Sequence, residues 1–164
     1  VFYGEGEFVM SMLQENRQLV EVTVGDLMIP SEKVAHVQVN NPLEHALLVL
    51  VKSGYSAVPV LDSSYKLQGI IGKTVILNRI LGLERFEMEK LSDILVKEIM
   101  NTEIPTLSKE STFLEGLDAT INHPFVCVVE KDGYFDGILT RRALLKEFKR
   151  EIYTSRYFQG EKDK

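Results

Sequence analysis

Thr140-Arg141-Arg142 stands where an apolar strand-like run, Phe135 to Leu139, gives way to a segment with helical spacing, Arg141 to Tyr153. A threonine at that junction can cap the helix, and the free N–H groups and positive dipole end behind it favour an anion. Two arginines add planar, fork-shaped donors that match phosphate oxygens. The chemistry this predicts is capture of a small phosphate-bearing ligand. A capped helix with a solvated basic first turn is the alternative reading.

A second candidate is Tyr55-Ser56, which follows the helix-ending Gly54. Tyr55 can stack on a base and Ser56 can bond a phosphate or sugar; packing of the tyrosine over the helix end is the plainer alternative. Other chemistry is excluded or ranked low. Gly72-Lys73-Thr74 suggests a P-loop, but the glycine required five positions before Gly72 is Leu67. His36, His45 and His123 with the single Cys127 show no metal-ligand spacing. Cys127 lies within an apolar run, where cysteine behaves as a small hydrophobe. No set of nucleophile, base and orienting group is present, so the sequence is not read as an enzyme. Met28 and Met100 read as core fillers rather than a redox switch. The acidic stretch Glu84 to Glu89, with Phe86 and Met88 interspersed, reads as a solvated linker helix, with partner docking as the alternative.

The elements that must carry these residues occur twice. Val24-Gly25-Asp26-Leu27-Met28 aligns with Val96-Lys97-Glu98-Ile99-Met100, 72 residues later, and Gly69-Ile70-Ile71 aligns with Gly137-Ile138-Leu139, 68 residues later. After each Met comes a brief strand, Val34 to Val39 and Ile104 to Leu107. Asn41 then reads as an N-cap with Pro42 at the first helical position, before apolar residues at Leu43, Ala46, Leu47, Leu50 and Val51 and the terminator Gly54. In the second copy Ser111 takes the capping place, Phe113, Leu114 and Leu117 form the apolar face, and Asn122 to Pro124 break the helix. Two strands follow in each copy, Ala57 to Leu61 with Leu67 to Ile71, and Phe125 to Val129 with Phe135 to Leu139. Asp62-Ser63-Ser64-Tyr65 and Lys131-Asp132-Gly133 are the turns. Helices at Thr74 to Leu81 and Arg141 to Tyr153 close the copies. The predicted class is α/β (α+β), strand-helix-strand-strand-helix written twice, over residues 10–82 and 93–153 with a connector at 83–92. A unit of about 60 residues buries little core alone, so the copies should pack on each other about a pseudo-twofold axis.

Composition sets the outer bounds. The 164 residues are 45% hydrophobic and 26% charged, enough for a full core, and no low-complexity tract interrupts them. The longest apolar run, Ala46 to Val51, is far below the roughly 20 residues of a membrane helix. With no visible signal sequence and one cysteine, a cytoplasmic location is expected. A net charge of −5 opposes non-specific nucleic-acid binding, whereas a small anion needs only a local basic cluster. The chain starts at Val1 and its first methionines are Met10 and Met12, so Val1 to Val9 is set aside as a candidate expression remnant. Residues 154–164 are read as a tail, whose Tyr157-Phe158-Gln159-Gly160 resembles part of a protease-tag site but reads equally as native.

The repeat order, the apolar-Met lead-ins, Gly54-Tyr55-Ser56-Ala57-Val58-Pro59-Val60 and Gly137-Ile138-Leu139-Thr140 resemble the CBS family over about Val24 to Lys149. The resemblance implies a regulatory module that dimerises and binds adenosine nucleotides in clefts between its repeats. Lys33-Val34-Ala35-His36-Val37, Leu43-Glu44-His45-Ala46-Leu47 and Thr140-Arg141-Arg142 are similar, more narrowly, to the stand-alone CBS proteins of Gram-positive bacteria that bind cyclic di-AMP. By that resemblance Arg141, Arg142 and Thr140 hold phosphate, and Lys33, Ala35 and Tyr55 line an adenine pocket in which the small Ala35 leaves room for the ring. A strand start with a solvated Lys33 is the alternative. The family's usual nucleotide motif continues to a ribose-binding aspartate, but Ala143 stands there, and Gly72-Lys73-Thr74-Val75 lacks it too. A cyclic dinucleotide has both 3′-oxygens esterified and carries two phosphates, which suits arginine without aspartate. The output is then a partner protein, and the resemblance implies a (p)ppGpp synthetase stimulated by the ligand-free form. An AMP, ATP or S-adenosylmethionine sensor, or a dimerisation module without ligand, are the competing expectations; no metal or cofactor is expected.

Overall fold

The structure is a computed structural model and describes residues 17–154 together with Gly6. The sequence readings placed on Val1 to Val9, Gly6 apart, on Met10 and Met12 as starts, and on residues 155–164 lie outside the described residues.

In the first copy, strand β2 (Val37–Gln38) leads to helix α3 (Leu43–Ser53), strands β3 (Ala57–Leu61) and β4 (Leu67–Gly72), and helix α4 (Lys73–Ile80). Strand β2 pairs parallel with β3, and β3 pairs antiparallel with β4, with a register shift between Val60 and Leu61. Helix α3 forms because Leu43, Ala46 and Leu50 fall on one face and are fully buried. It stops at Gly54, which takes the left-handed conformation (φ 74°) and returns its N–H to the Leu50 carbonyl at 3.1 Å. In the second copy, β5 (Thr106–Leu107), helix α6 (Phe113–Thr120), β6 (Phe125–Val129), β7 (Phe135–Thr140) and helix α7 (Arg141–Thr154) repeat the order. Their sheet runs β1-β7-β6-β5, where β1 is the two-residue strand Ile29–Pro30.

Four local expectations are corrected. The strand expected over Val34 to Val39 is only Val37–Gln38, because Ser31–Lys33 winds into a single 3-10 turn closed by Val34 N–H to the Ser31 carbonyl at 3.1 Å. Pro42, not Asn41, is the extended residue before α3; the Asn41 Oδ1 instead accepts the Gln38 N–H at 2.7 Å and closes the preceding turn. Thr112, not Ser111, caps α6, exchanging bonds of 3.1 and 2.9 Å with Glu115, while Ser111 Oγ accepts the Ser108 N–H at 3.0 Å. The stretch Glu84 to Glu89 is not helical. It folds back as a turn, with Leu81 bridging Phe86 and Gly82 N–H bonding the Arg85 carbonyl at 2.9 Å, and helix α5 (Lys90–Asp93) begins only afterwards. Arg85 pairs with Glu89 at 2.7 Å on this turn, which holds the Glu89 carboxyl down at about 2.

The described residues divide into two compact units that do not coincide with the written repeats. One comprises residues 30–106 and 129–137, the other 17–29, 107–128 and 138–154. Each unit takes its lead-in from the other copy. In the first unit, Leu91 and Val96 join Leu43, Leu50, Val58 and Ile71 in the core, with Met100 packed against it. In the second, Leu19, on helix α1 (Arg17–Glu21), and Val24, on helix α2 (Val24–Leu27), join Phe113, Val128, Leu139 and Leu144, with Met28 packed alongside. Both methionines therefore fill space against a core, as their matching positions indicated. Pairing of the two hairpin turns also completes the first unit: Leu67 N–H bonds the Gly133 carbonyl and Phe135 N–H the Tyr65 carbonyl, each at 3.0 Å, and the Lys66 ammonium lies 5.1 Å from the Tyr134 ring centre.

Cys127 is 2% exposed on β6, and burial pushes its thiol up to about 12. The folded protein is expected to show no reaction with an aromatic disulfide reagent at pH 8, and one reacting thiol per chain once denaturant is added. Rapid labelling of the native chain would contradict this burial.

Candidate functional site

At the start of α7 the capping expected from sequence is realised: Thr140 Oγ1 accepts the Ala143 N–H at 3.1 Å. The Arg141 N–H bonds the Pro124 carbonyl at 2.9 Å. Two of the first-turn donors that could face an anion are thus already satisfied. An anion held here would draw on side chains and on what remains of the first-turn donors, with the helix dipole as a minor addition.

The two arginines divide their work. Arg141 Nε donates to the Thr120 carbonyl at 2.8 Å and its Nη2 to the Ile121 carbonyl at 3.1 Å, so its guanidinium closes the C-terminal end of α6. A cation there satisfies orphan carbonyls and opposes the negative end of that helix. Arg142 is exposed and has no hydrogen bond or ion pair among the described residues. It lines an open depression of about 490 Å³ with Pro124, Arg141, Leu145, Lys146 and Lys149. Lys146 and Lys149, absent from the sequence-derived site, follow Arg142 by four and seven residues, the spacing of one helix face. That Arg-x-x-x-Lys-x-x-Lys pattern was the signal available in the sequence. Ala143, at the place of the family's aspartate, is half-buried and offers no acceptor beyond the backbone.

The remaining predicted residues lie in the other unit. Lys33 ends the 3-10 turn and is exposed, Val34 is buried, and Ala35 is half-buried against the first core. His36 holds this segment in place: its Nδ1 lies 3.2 Å from the Val34 carbonyl, and its Nε2 lies 3.2 Å from the hydroxyl of Tyr65. The two rings meet edge to face at 5.3 Å. Tyr65 occupies the left-handed region (φ 69°) in the β3–β4 turn, which brings its ring to His36. Tyr55 is 40% exposed directly after Gly54, and its N–H bonds Ser53 Oγ at 3.4 Å. Ser56 is exposed, and its carbonyl accepts the Lys73 N–H at 3.0 Å. Among the described residues no group of three or more His, Cys, Asp and Glu is placed to hold a metal, and no helix is long and apolar enough to cross a membrane.

The model of the CBS domain matches residues 24–82 and again residues 96–150. The chain belongs to the CBS-domain family. CBS modules are regulatory and not catalytic, which agrees with the lack of a catalytic constellation in the sequence. This CBS chain is 54% identical over 138 residues to the cyclic di-AMP receptor B of Bacillus subtilis, covering 84% of the chain and 94% of that protein. Among solved structures it is similar to a CBS domain-containing protein of Bacillus anthracis, with 57% identity and a TM-score of 0.78 over 82% of this chain and 97% of that one. It is also similar to the CbpB protein of Listeria monocytogenes in complex with c-di-AMP, with 48% identity and a TM-score of 0.74 over 79% and 97% of the two chains.

Proposed function

We propose that this CBS chain is a nucleotide-sensing regulatory module whose ligand is cyclic di-AMP and whose output is control of a partner protein. The observation that carries the reading is an uncommitted Arg142 at a capped helix start, beside an alanine where a ribose-reading aspartate would otherwise stand. The relatives named for cyclic di-AMP support it. In this reading Arg142 grips a phosphate as a bidentate donor. Thr140, whose oxygen already accepts the Ala143 N–H, donates its hydroxyl hydrogen to the same phosphate. Arg141 sets the position of that helix start through its hold on α6. The backbone around Lys33 and Ala35 takes the edge of an adenine, Tyr55 stacks on the ring, and Ser56 bonds the sugar-phosphate.

Cyclic di-AMP then acts by favouring the conformation it binds more tightly, since a ligand shifts an equilibrium only by its differential affinity for two states. The partner is a (p)ppGpp synthetase engaged by the ligand-free homodimer and released when the dinucleotide binds. Calorimetric titration with cyclic di-AMP, cyclic di-GMP, AMP and ATP in parallel tests the ligand. Saturable heat with cyclic di-AMP alone is expected; heat with AMP or ATP and none with cyclic di-AMP overturns the reading.

A further inference from the structure

The acids and bases of α7 are sorted onto different sides. Arg150 collects the acids, bonding Glu147 at 2.6 and 3.2 Å and Glu151 at 3.1 Å. Glu147 is therefore engaged elsewhere and leaves the cations of the depression uncompensated. Lys149 is partly occupied, its ammonium lying 5.7 Å from the centre of the Tyr153 ring. Arg142 and Lys146 are the exposed cations of this face with no hydrogen bond, ion pair or ring contact among the described residues. They stand one turn apart, about 6 Å along the helix axis, on a chain whose net charge is −5. Like charges at this spacing repel and weaken an isolated helix by tenths of a kcal/mol, so the pair is best accommodated by an anion that spans both.

We propose that Lys146 is a specificity-determining residue that takes the second phosphate of the dinucleotide while Arg142 takes the first, an inference that rests on the reading of cyclic di-AMP as ligand. The two phosphates of a cyclic dinucleotide sit on one small ring, within reach of two long cationic side chains one turn apart. A mononucleotide with a single phosphate group fills only the Arg142 position. The planar arginine fork orients one phosphate, and the flexible lysine, a compact charge on a long stem, follows the other. Leu145 and Pro124 supply the apolar part of the depression. Preference for a diphosphate ring over a mononucleotide then comes from Lys146 as well as from the alanine at 143.

The test is titration of the full-length protein with cyclic di-AMP for wild type, Lys146→Met, Lys146→Arg and Lys149→Met, with thermal melting as the folding control. Lys146→Met is expected to bind about tenfold more weakly and to lose part of the salt dependence of binding, with an unchanged melting midpoint. Lys146→Arg is expected to restore affinity to within threefold, and Lys149→Met to cost less than threefold. Binding by wild type with Lys146→Met unaffected overturns the lysine's assignment and leaves the ligand intact. Equal losses from Lys146→Met and Lys149→Met also overturn it, because they reduce the effect to general charge. Absence of any binding by wild type overturns the ligand itself.

Discussion

Arg142→Met is expected to weaken cyclic di-AMP binding by about 30- to 100-fold, because a charge-assisted bidentate contact to phosphate contributes about 2–3 kcal/mol and each 1.4 kcal/mol is a factor of ten. The neighbouring Arg141→Met is the informative comparison. It removes two bonds to the carbonyls of Thr120 and Ile121 and should lower stability by about 1–2 kcal/mol. Its effect on affinity should be smaller and should arise through displacement of the helix start. Calorimetry and thermal melting on both variants separate the roles. Arg142→Met should melt like wild type, since the side chain has no partner among the described residues. If Arg141→Met instead lost affinity more severely with an unchanged melting midpoint, the assignment of the two arginines would be reversed.

The second large effect is structural. Gly69 lies on β4 where the Ile70 N–H and carbonyl exchange bonds of 3.0 and 2.8 Å with Asn101, and a Cβ at position 69 would collide with the Asn101 backbone carbonyl. Backbone cannot rotate away as a side chain can. Gly69→Ala is therefore expected to cost about 1–3 kcal/mol despite the better strand propensity of alanine. For a chain of this size that lowers the melting midpoint by roughly 3–10 °C. A midpoint equal to or above that of wild type would show that Asn101 does not sit against this strand.

The repeat explains why so much of the architecture is visible in the chain. Strands Ala57–Leu61 and Phe125–Val129 coincide with the runs read from sequence, and Gly54 ends its helix as its position indicated. These are local signals, an apolar run or a residue suited to positive φ. The departures are places where neighbouring polar groups compete for the same backbone donors. Asn41 and Ser111 both have N-cap chemistry, yet each side chain is used to close the preceding turn, and Pro42 and Thr112 stand before the helices instead. The linker at Glu84 to Glu89 has helical composition but is held by the Leu81–Phe86 bridge, a contact that no local pattern announces. In the candidate site the arginines were legible and their division was not. That Arg141 is occupied follows only from the proximity of the α6 end, 20 residues earlier in the chain. Lys146 and Lys149 were legible in principle from their spacing after Arg142.

The exchange of lead-ins has a consequence for how the chain comes to be folded. Val24 and Leu144 share one core although 120 residues separate them, and Leu91 and Val96 complete a core begun by Leu43 and Leu50. During synthesis the segment that carries Val24 must wait until the chain has emerged as far as Leu144 before all its packing partners exist. Closure over such distances is slow compared with local helix formation, because the loss of chain freedom precedes the contacts that offset it. Severing the peptide in the connector, near Gly82 to Glu89, should therefore yield two fragments that each lack part of a core. Mixed together, they have the means to complement one another, as two pieces of a split protein do.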